Sequence, residues 1–188
     1  MKTLTQIQQE YNFKTDKNTA HTYFNVYEEL FLPYRDLPIN ILEIGILAGE
    51  SLKLWSKYFT NANIVGIDTF TRVDFNNVYQ NLSSFKNVTI HNVDSYGTDE
   101  NSRIRFLEVY DNIKFDIIID DGNHTSYAQN RTFTNFSNML NDNGIYIIED
   151  IRDHDGHLNN IIDNIPDIQI VNMNYAYMFD NILGIYRK

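Results

Sequence analysis

The chain has no cysteine, which removes disulfides, thiolate nucleophiles and Cys-ligated zinc from consideration. Basic residues are scarce: 15 Lys and Arg against 25 Asp and Glu leave a formal net charge of -10. Such a surface repels phosphate backbones and anionic headgroups, so neither nucleic acid nor a membrane surface is an expected partner. No apolar run approaches the ~20 residues needed to span a bilayer. The Met1–Gln6 stretch has no apolar signal core, so the expected location is cytoplasmic. Proline is rare, and two of the three, Pro33 and Pro38, fall where a helical pattern breaks. What is abundant is apolar and aromatic: 43% hydrophobic residues, with 12 Phe and 13 Tyr, argue against disorder. With 188 residues the expectation is a single domain, 1–188, with a sizeable core.

Residues 1–36 read as a helical N-terminal cap, with Tyr23, Val26, Tyr27, Leu30 and Phe31 on one helix face. From residue 39 onward apolar runs alternate with helical patterns. The runs Ile39–Ile44, Asn63–Ile67, Asn87–Val93, Phe115–Ile119 and Gly144–Ile148 read as strands, and Ser51–Phe59 and Ser126–Leu140 as helices. Near-continuous apolar strands joined by helices imply a parallel sheet covered on both faces. Asp167–Met173 and Ile182–Arg187 have no helix between them and read as an antiparallel pair at the sheet edge. The fold class is α/β: a Rossmann-like, doubly wound, mostly parallel seven-stranded sheet over 39–188, with an antiparallel C-terminal edge strand and a helical N-terminal segment.

In such a sheet, ligands bind beyond the carboxyl ends of the strands. Acidic residues gather at those ends: Glu43, Asp68, Asp94, Asp120, Asp121, Glu149 and Asp150. After the first strand, Glu43 precedes Gly45 by two positions, and Gly49 follows four later. The glycines let the backbone approach a ligand and enter a helix. A carboxylate beside that turn suits a cofactor bearing a cationic sulfonium, S-adenosylmethionine. Asp68 lies 23 positions past Gly45, close to the ~20 expected for a ribose-binding carboxylate, or else it is a helix cap. Asp94 and Ser95 could face the adenine amino group or serve as a loop cap. Leu47 stands where a dinucleotide fingerprint has its middle glycine, which favours a ligand without phosphates.

Asp121, Glu149 and Asp150 should meet at the ends of neighbouring strands, ~4.8 Å apart. Carboxylates this close repel unless one is protonated or a cation intervenes. An all-oxygen set without cysteine points to magnesium, with manganese or calcium as substitutes. His124, three residues beyond Asp121, is a candidate general base, metal ligand or plain loop residue. His154 and His157 read as a solvated loop or as part of a substrate entrance, and Tyr175, Tyr177 and Phe179 as hairpin packing.

These residues resemble a known family. Glu43-Ile44-Gly45 through Gly49, with Gly66-Ile67-Asp68, resembles class I S-adenosylmethionine-dependent methyltransferases. Ile118 through His124, with Gln129 and Tyr146 through Asp150, is similar to the metal-dependent sugar O-methyltransferases of macrolide biosynthesis, the mycinamicin and tylosin type. The resemblance implies Asp121, Glu149 and Asp150 as magnesium ligands and His124 as the base. Thr15-Asp16-Lys17, with His21 and Tyr23, resembles an upstream element of these relatives. It implies Lys17 near the cofactor, with His21 and Tyr23 near the substrate. Asp120 is grouped with the cofactor side. The acceptor implied is a small molecule or glycan. The rival expectations are a metal-independent methyltransferase, an NAD-dependent oxidoreductase and a non-catalytic nucleoside-binding protein. The aromatic segment 21–34 is a candidate face for a homo-oligomer.

Overall fold

The computed structural model describes residues 1–174 and 179–188. Tyr175 and Tyr177, read above as hairpin packing, lie outside the described residues. In chain order the elements are helices α1 (Leu4–Tyr11) and α2 (Phe24–Phe31), strand β1 (Asn40–Ile44), α3 (Glu50–Tyr58), β2 (Asn63–Asp68), α4 (Phe75–Leu82), β3 (Val88–Asn92), α5 (Glu100–Val109), β4 (Phe115–Asp120), α6 (Ser126–Phe136), β5 (Leu140–Ile148), α7 (His157–Asn164), β6 (Gln169–Asn172) and β7 (Ile182–Arg187). The seven strands form one sheet in the order β3-β2-β1-β4-β5-β7-β6. The first five run parallel, and β7 pairs antiparallel with both β5 and β6. The order reverses between β1 and β4, the switch point beyond which an open α/β sheet binds ligands. Among the described residues no helix is long and apolar enough to cross a membrane.

Side-chain alternation divides the core into two layers. Ile41, Ile117, Ile119, Ile145 and Ile147 face the layer containing α1, α2 and α3, where Tyr27, Phe31, Trp55 and Phe59 pack ring against ring. Leu42, Ile44, Ile118, Tyr146 and Ile148 face the other layer, with Phe106, Phe136 and Ile161 from α5, α6 and α7. Short polar side chains start the helices. Thr3 and Gln6 form a reciprocal cap on α1, and Asp74, Asp99 and Thr125 each accept a backbone N–H at the start of α4, α5 and α6.

The helical N-terminal cap is in two pieces: Asn12, at φ 56°, ends α1, and residues 12–23 form an irregular strap before α2. One expectation is corrected. The aromatic face of 21–34 is not open to a second copy. Tyr23, Phe24, Tyr27 and Phe31 are buried inside the chain's own core, leaving Leu32 as the exposed large apolar side chain there.

Candidate active site

A cleft of about 570 Å³ opens at the carboxyl ends of β1, β2 and β4, a size suited to a small-molecule ligand. Its floor is the turn after β1. The amide of Gly45 donates to the Ile67 carbonyl at 2.8 Å, and that of Asp121 donates to the Ile44 carbonyl at 2.9 Å. Gly45 has φ +84°, and a Cβ there would lie 2.2 Å from the Asp121 carbonyl oxygen. This glycine therefore allows two strand ends to touch, and it also lines the cleft. Gly49, at φ +78°, starts α3. Asp68 holds the same turn, accepting from the Leu47 amide at 3.0 Å and the Phe70 amide at 2.8 Å, and its residue lines the cleft.

Asp94 accepts from the amides of Gly97 (2.7 Å) and Asp99 (3.1 Å), which is the loop-cap alternative. Ser95 lines the cleft and shares a 3.2 Å hydrogen bond with Thr132. Asp120 is fully buried. One of its oxygens accepts from the Gly122 amide at 3.2 Å, and the other has no partner. Burial raises its carboxyl to about 7, against the opposing pull of the Gly122 amide and His124.

The charged half of the site obeys the alternation of the sheet. Glu43 on β1, and Asp121 and Glu149 just past Ile119 and Ile147, belong to the rows facing the N-terminal helices. Lys17, from the strap, reaches them there. Its ammonium lies 2.7 Å from Asp121, 2.8 Å from both Glu149 oxygens and 3.5 Å from Glu43. Burial works against the charge on Lys17, but Asp121, Glu149 and Glu43 outweigh it and hold the amine well above its ordinary range. Burial likewise pushes Glu149 upward against Lys17, whereas Asp121 is lowered because Lys17 and His124 overcome its burial. The carboxylates expected to conflict unless an added cation intervened are thus compensated by the chain itself, a contact spanning more than a hundred residues.

Two tyrosines that sequence reasoning underused complete the grip. Tyr27 donates to Glu149, and Tyr23 donates to Asp150 at 2.5 Å. Asp150 sits at φ 56°, so it departs from strand alternation and joins Glu149 in facing the strap. His21 stacks on Tyr23 at 4.7 Å, with its Nε2 3.5 Å from Asp150. Glu43, fully buried, accepts from the Trp55 indole at 2.7 Å, while its other oxygen lacks a hydrogen-bond partner.

His124 stands between two of the carboxylates, with Nε2 3.2 Å from Asp121 and Nδ1 3.1 Å from Asp150. Burial lowers its pKa, but the hydrogen bond to Asp121 and the charges of Asp150 and Asp121 prevail and raise it to about 9. Asp121, His124 and Asp150 offer donor atoms within 4.8 Å of one another, which is the candidate metal cluster among the described residues. Glu149, expected in that set, is instead engaged by Lys17 and Tyr27. His157 is a further correction: it opens α7 rather than sitting in a solvated loop. It is buried and meets Gln129 at 2.6 Å, while Gln129 donates to the Glu149 carbonyl at 2.8 Å.

The sheet order and this strand-end site define the class: the chain has the class I S-adenosylmethionine-dependent methyltransferase fold. Within that class it resembles the sugar O-methyltransferases of antibiotic biosynthesis. It is 30% identical over 146 residues to the 8-demethyl-8-alpha-L-rhamnosyl tetracenomycin-C 2'-O-methyltransferase of Streptomyces olivaceus, covering 73% of this chain and 35% of the relative. It is 26% identical over 138 residues to the mycinamicin VI 2''-O-methyltransferase of Micromonospora griseorubida, covering 70% and 32%. The chain thus spans about a third of the length of these curated relatives. Among solved structures, the MycE methyltransferase of the mycinamycin biosynthetic pathway, in complex with Mg and SAH, superposes with a TM-score of 0.73 at 21% identity, covering 99% of this chain and 55% of that one. No protein-family model matches the chain.

Proposed function

We propose that this chain is the catalytic domain of an S-adenosylmethionine-dependent O-methyltransferase acting on a hydroxyl of a sugar or polyol, with magnesium as its divalent cation. The observation that carries the reading is His124, seated between Asp121 and Asp150 in the wall of the cleft. The relatives named for sugar O-methylation, and MycE in complex with Mg and SAH, support the reaction class and both groups. A single domain in which the N-terminal strap and helices cover the sheet, and a cytoplasmic location, belong to the same reading.

The residues present fit both groups. Asp121 and Asp150 supply hard oxygen donors beside the His124 imidazole, a set compatible with magnesium or manganese. The turn from Gly45 to Ser51, with Asp68 and Ser95, offers a polar rim for a nucleoside; each Asp68 oxygen keeps acceptor capacity beyond its backbone contact. When bound, the cation supplies Lewis acidity toward an acceptor oxygen, and the cofactor supplies an electrophilic methyl group.

The side chains then have distinct tasks. His124 is an imidazolium at neutral pH while both carboxylates lean on it. With Asp121 and Asp150 engaged by the cation they would hold, His124 would release that proton to solvent and stand as the neutral base. It then takes the acceptor's proton. Tyr23 and His21 fix Asp150 and shape the acceptor side, and Lys17 holds Glu149 and Asp121 in place. Such positioned proton transfer is worth ~10²–10⁴-fold. His124→Ala is expected to retain S-adenosylhomocysteine binding and to lose methyl transfer by that factor, measured with radiolabelled methyl donor on a panel of glycosides. Unchanged turnover would remove His124 from the chemistry.

A second reading, metal-independent methyl transfer, is favoured by one observation: Lys17 already pairs with both Asp121 and Glu149. Exhaustive chelation separates the two. Loss of turnover restored by magnesium supports the first, and full activity supports the second.

A further inference from the structure

The Lys17 ammonium lies among three carboxylates at the junction of β1, β4 and β5, with its side chain 1% exposed. One of its partners, Asp121, belongs to the cluster of donor atoms that fits a divalent cation, and another, Glu149, precedes the cluster's Asp150 in the chain. We propose that Lys17 is a resident counter-ion that competes with the divalent cation for Asp121, so that metal binding proceeds by exchange against the lysine ammonium. The inference rests on the divalent-cation reading of the site.

The physical case is one of charge. Glu43, Asp121, Glu149 and Asp150 converge in a largely buried space, and unpaired buried carboxylates are strongly disfavoured. Lys17 is the fully buried cation that touches three of them. A divalent ion near Asp121 meets a fixed positive charge 2.7 Å from that carboxylate. Either the ammonium retreats or the ion binds against its repulsion, and both weaken affinity. Lys17 has somewhere to retreat: Glu43 already lies 3.5 Å away with an oxygen free of hydrogen-bond partners. The two glutamates thus bracket the amine, one toward β5 and one toward β1. The same arrangement keeps the metal-free carboxylates ordered, since Lys17 contacts both Glu149 oxygens.

Lys17 is therefore a positioning residue whose removal moves metal affinity and metal-free stability in opposite directions. A residue that simply supported the metal site would move both downward. The test is calorimetric titration of the full chain with magnesium and with manganese, in wild type and Lys17→Met, together with thermal unfolding with and without each ion. Lys17→Met is expected to melt lower than wild type without metal, to bind the ions at least ~10-fold tighter, and to gain more stability from them. Should Lys17→Met not fold alone, exchange requires that millimolar magnesium restore its fold; a chain that stays unfolded overturns the proposal. Equal or weaker metal binding by a folded Lys17→Met overturns it while leaving the divalent-cation reading intact. Binding by the variant alone supports exchange in its extreme form. No binding by either protein ends both the inference and the cation reading.

Discussion

At the ends of β1 and β2 the cleft is organised by a main-chain turn, Gly45–Gly49, laced by amides to Ile67 and to the Asp68 carboxylate. At the ends of β4 and β5 the site is organised by side chains, with Asp121, His124, Glu149 and Asp150 held by Lys17, Tyr23 and Tyr27. The first region is specified by shape and the second by charge. A backbone site fails when an atom is added, because close contacts leave no room. A charged site keeps its outline when a proton or hydroxyl is removed, and fails through unbalanced electrostatics. The first suits a cofactor of constant form, and the second suits chemistry in which charge moves.

This contrast can be broken at the glycine turn first. Gly45→Ala places a Cβ against the Asp121 carbonyl oxygen at a positive φ, and the expected loss is about 3–5 kcal/mol of stability. Urea denaturation checks it, and a loss below ~1 kcal/mol would show the turn to be more compliant than its contacts imply.

Next in size is a pH effect in the charged half. Asp120 titrates near 7 in the folded chain because of burial, against ~3.9 unfolded. The folded state therefore holds the extra proton. This contribution is fully present below pH ~4 and is lost as pH rises through ~7, amounting to about 2–4 kcal/mol. Asp120→Asn should match wild type at low pH and be the more stable protein by pH 8, in melting curves taken across that range. Parallel curves would place the Asp120 proton elsewhere.

The smallest effect expected is from Tyr27→Phe, which removes one donor to Glu149 without altering the ring packing. A hydrogen bond to a charged group is worth about 1.5–3 kcal/mol, and the lower end applies here because Lys17 still holds both Glu149 oxygens. Melting temperature and metal titration together would sharpen the comparison, since a lost shape contact would leave metal affinity unmoved.

The parallel strands were legible in the sequence because Ile41–Ile44, Ile64–Ile67, Ile117–Ile119 and Ile145–Ile148 are buried runs with acidic ends. Helices α4, α5 and α7 were not read from the chain. In α5, Ile104 and Val109 are exposed while Arg103 and Ser102 are buried, so no apolar stripe marks its face. The acidic strand ends and His124 were visible as residue types in a pattern. Alternation alone also places Glu43, Asp121 and Glu149 on the face of the N-terminal helices. Their partners were not legible in the same way: Lys17 meets Glu149 across 132 positions, and Tyr27 meets it across 122. Such pairings depend on where the strap crosses the sheet, and no local periodicity records that. The His157–Gln129 contact was hidden for a similar reason, because polar neighbours around His157 gave no hint of its burial.

The left-handed backbone of Asp150 bears on how substitutions at this site are to be interpreted. Aspartate tolerates that conformation better than most side chains, so the residue is chosen by its main chain as well as its carboxylate. Asparagine keeps the torsion and removes only the charge, glutamate keeps a charge but disturbs the torsion, and alanine disturbs both. Comparing the Asn and Ala replacements therefore separates the electrostatic demand on this corner from its conformational one, which a lone alanine scan would merge.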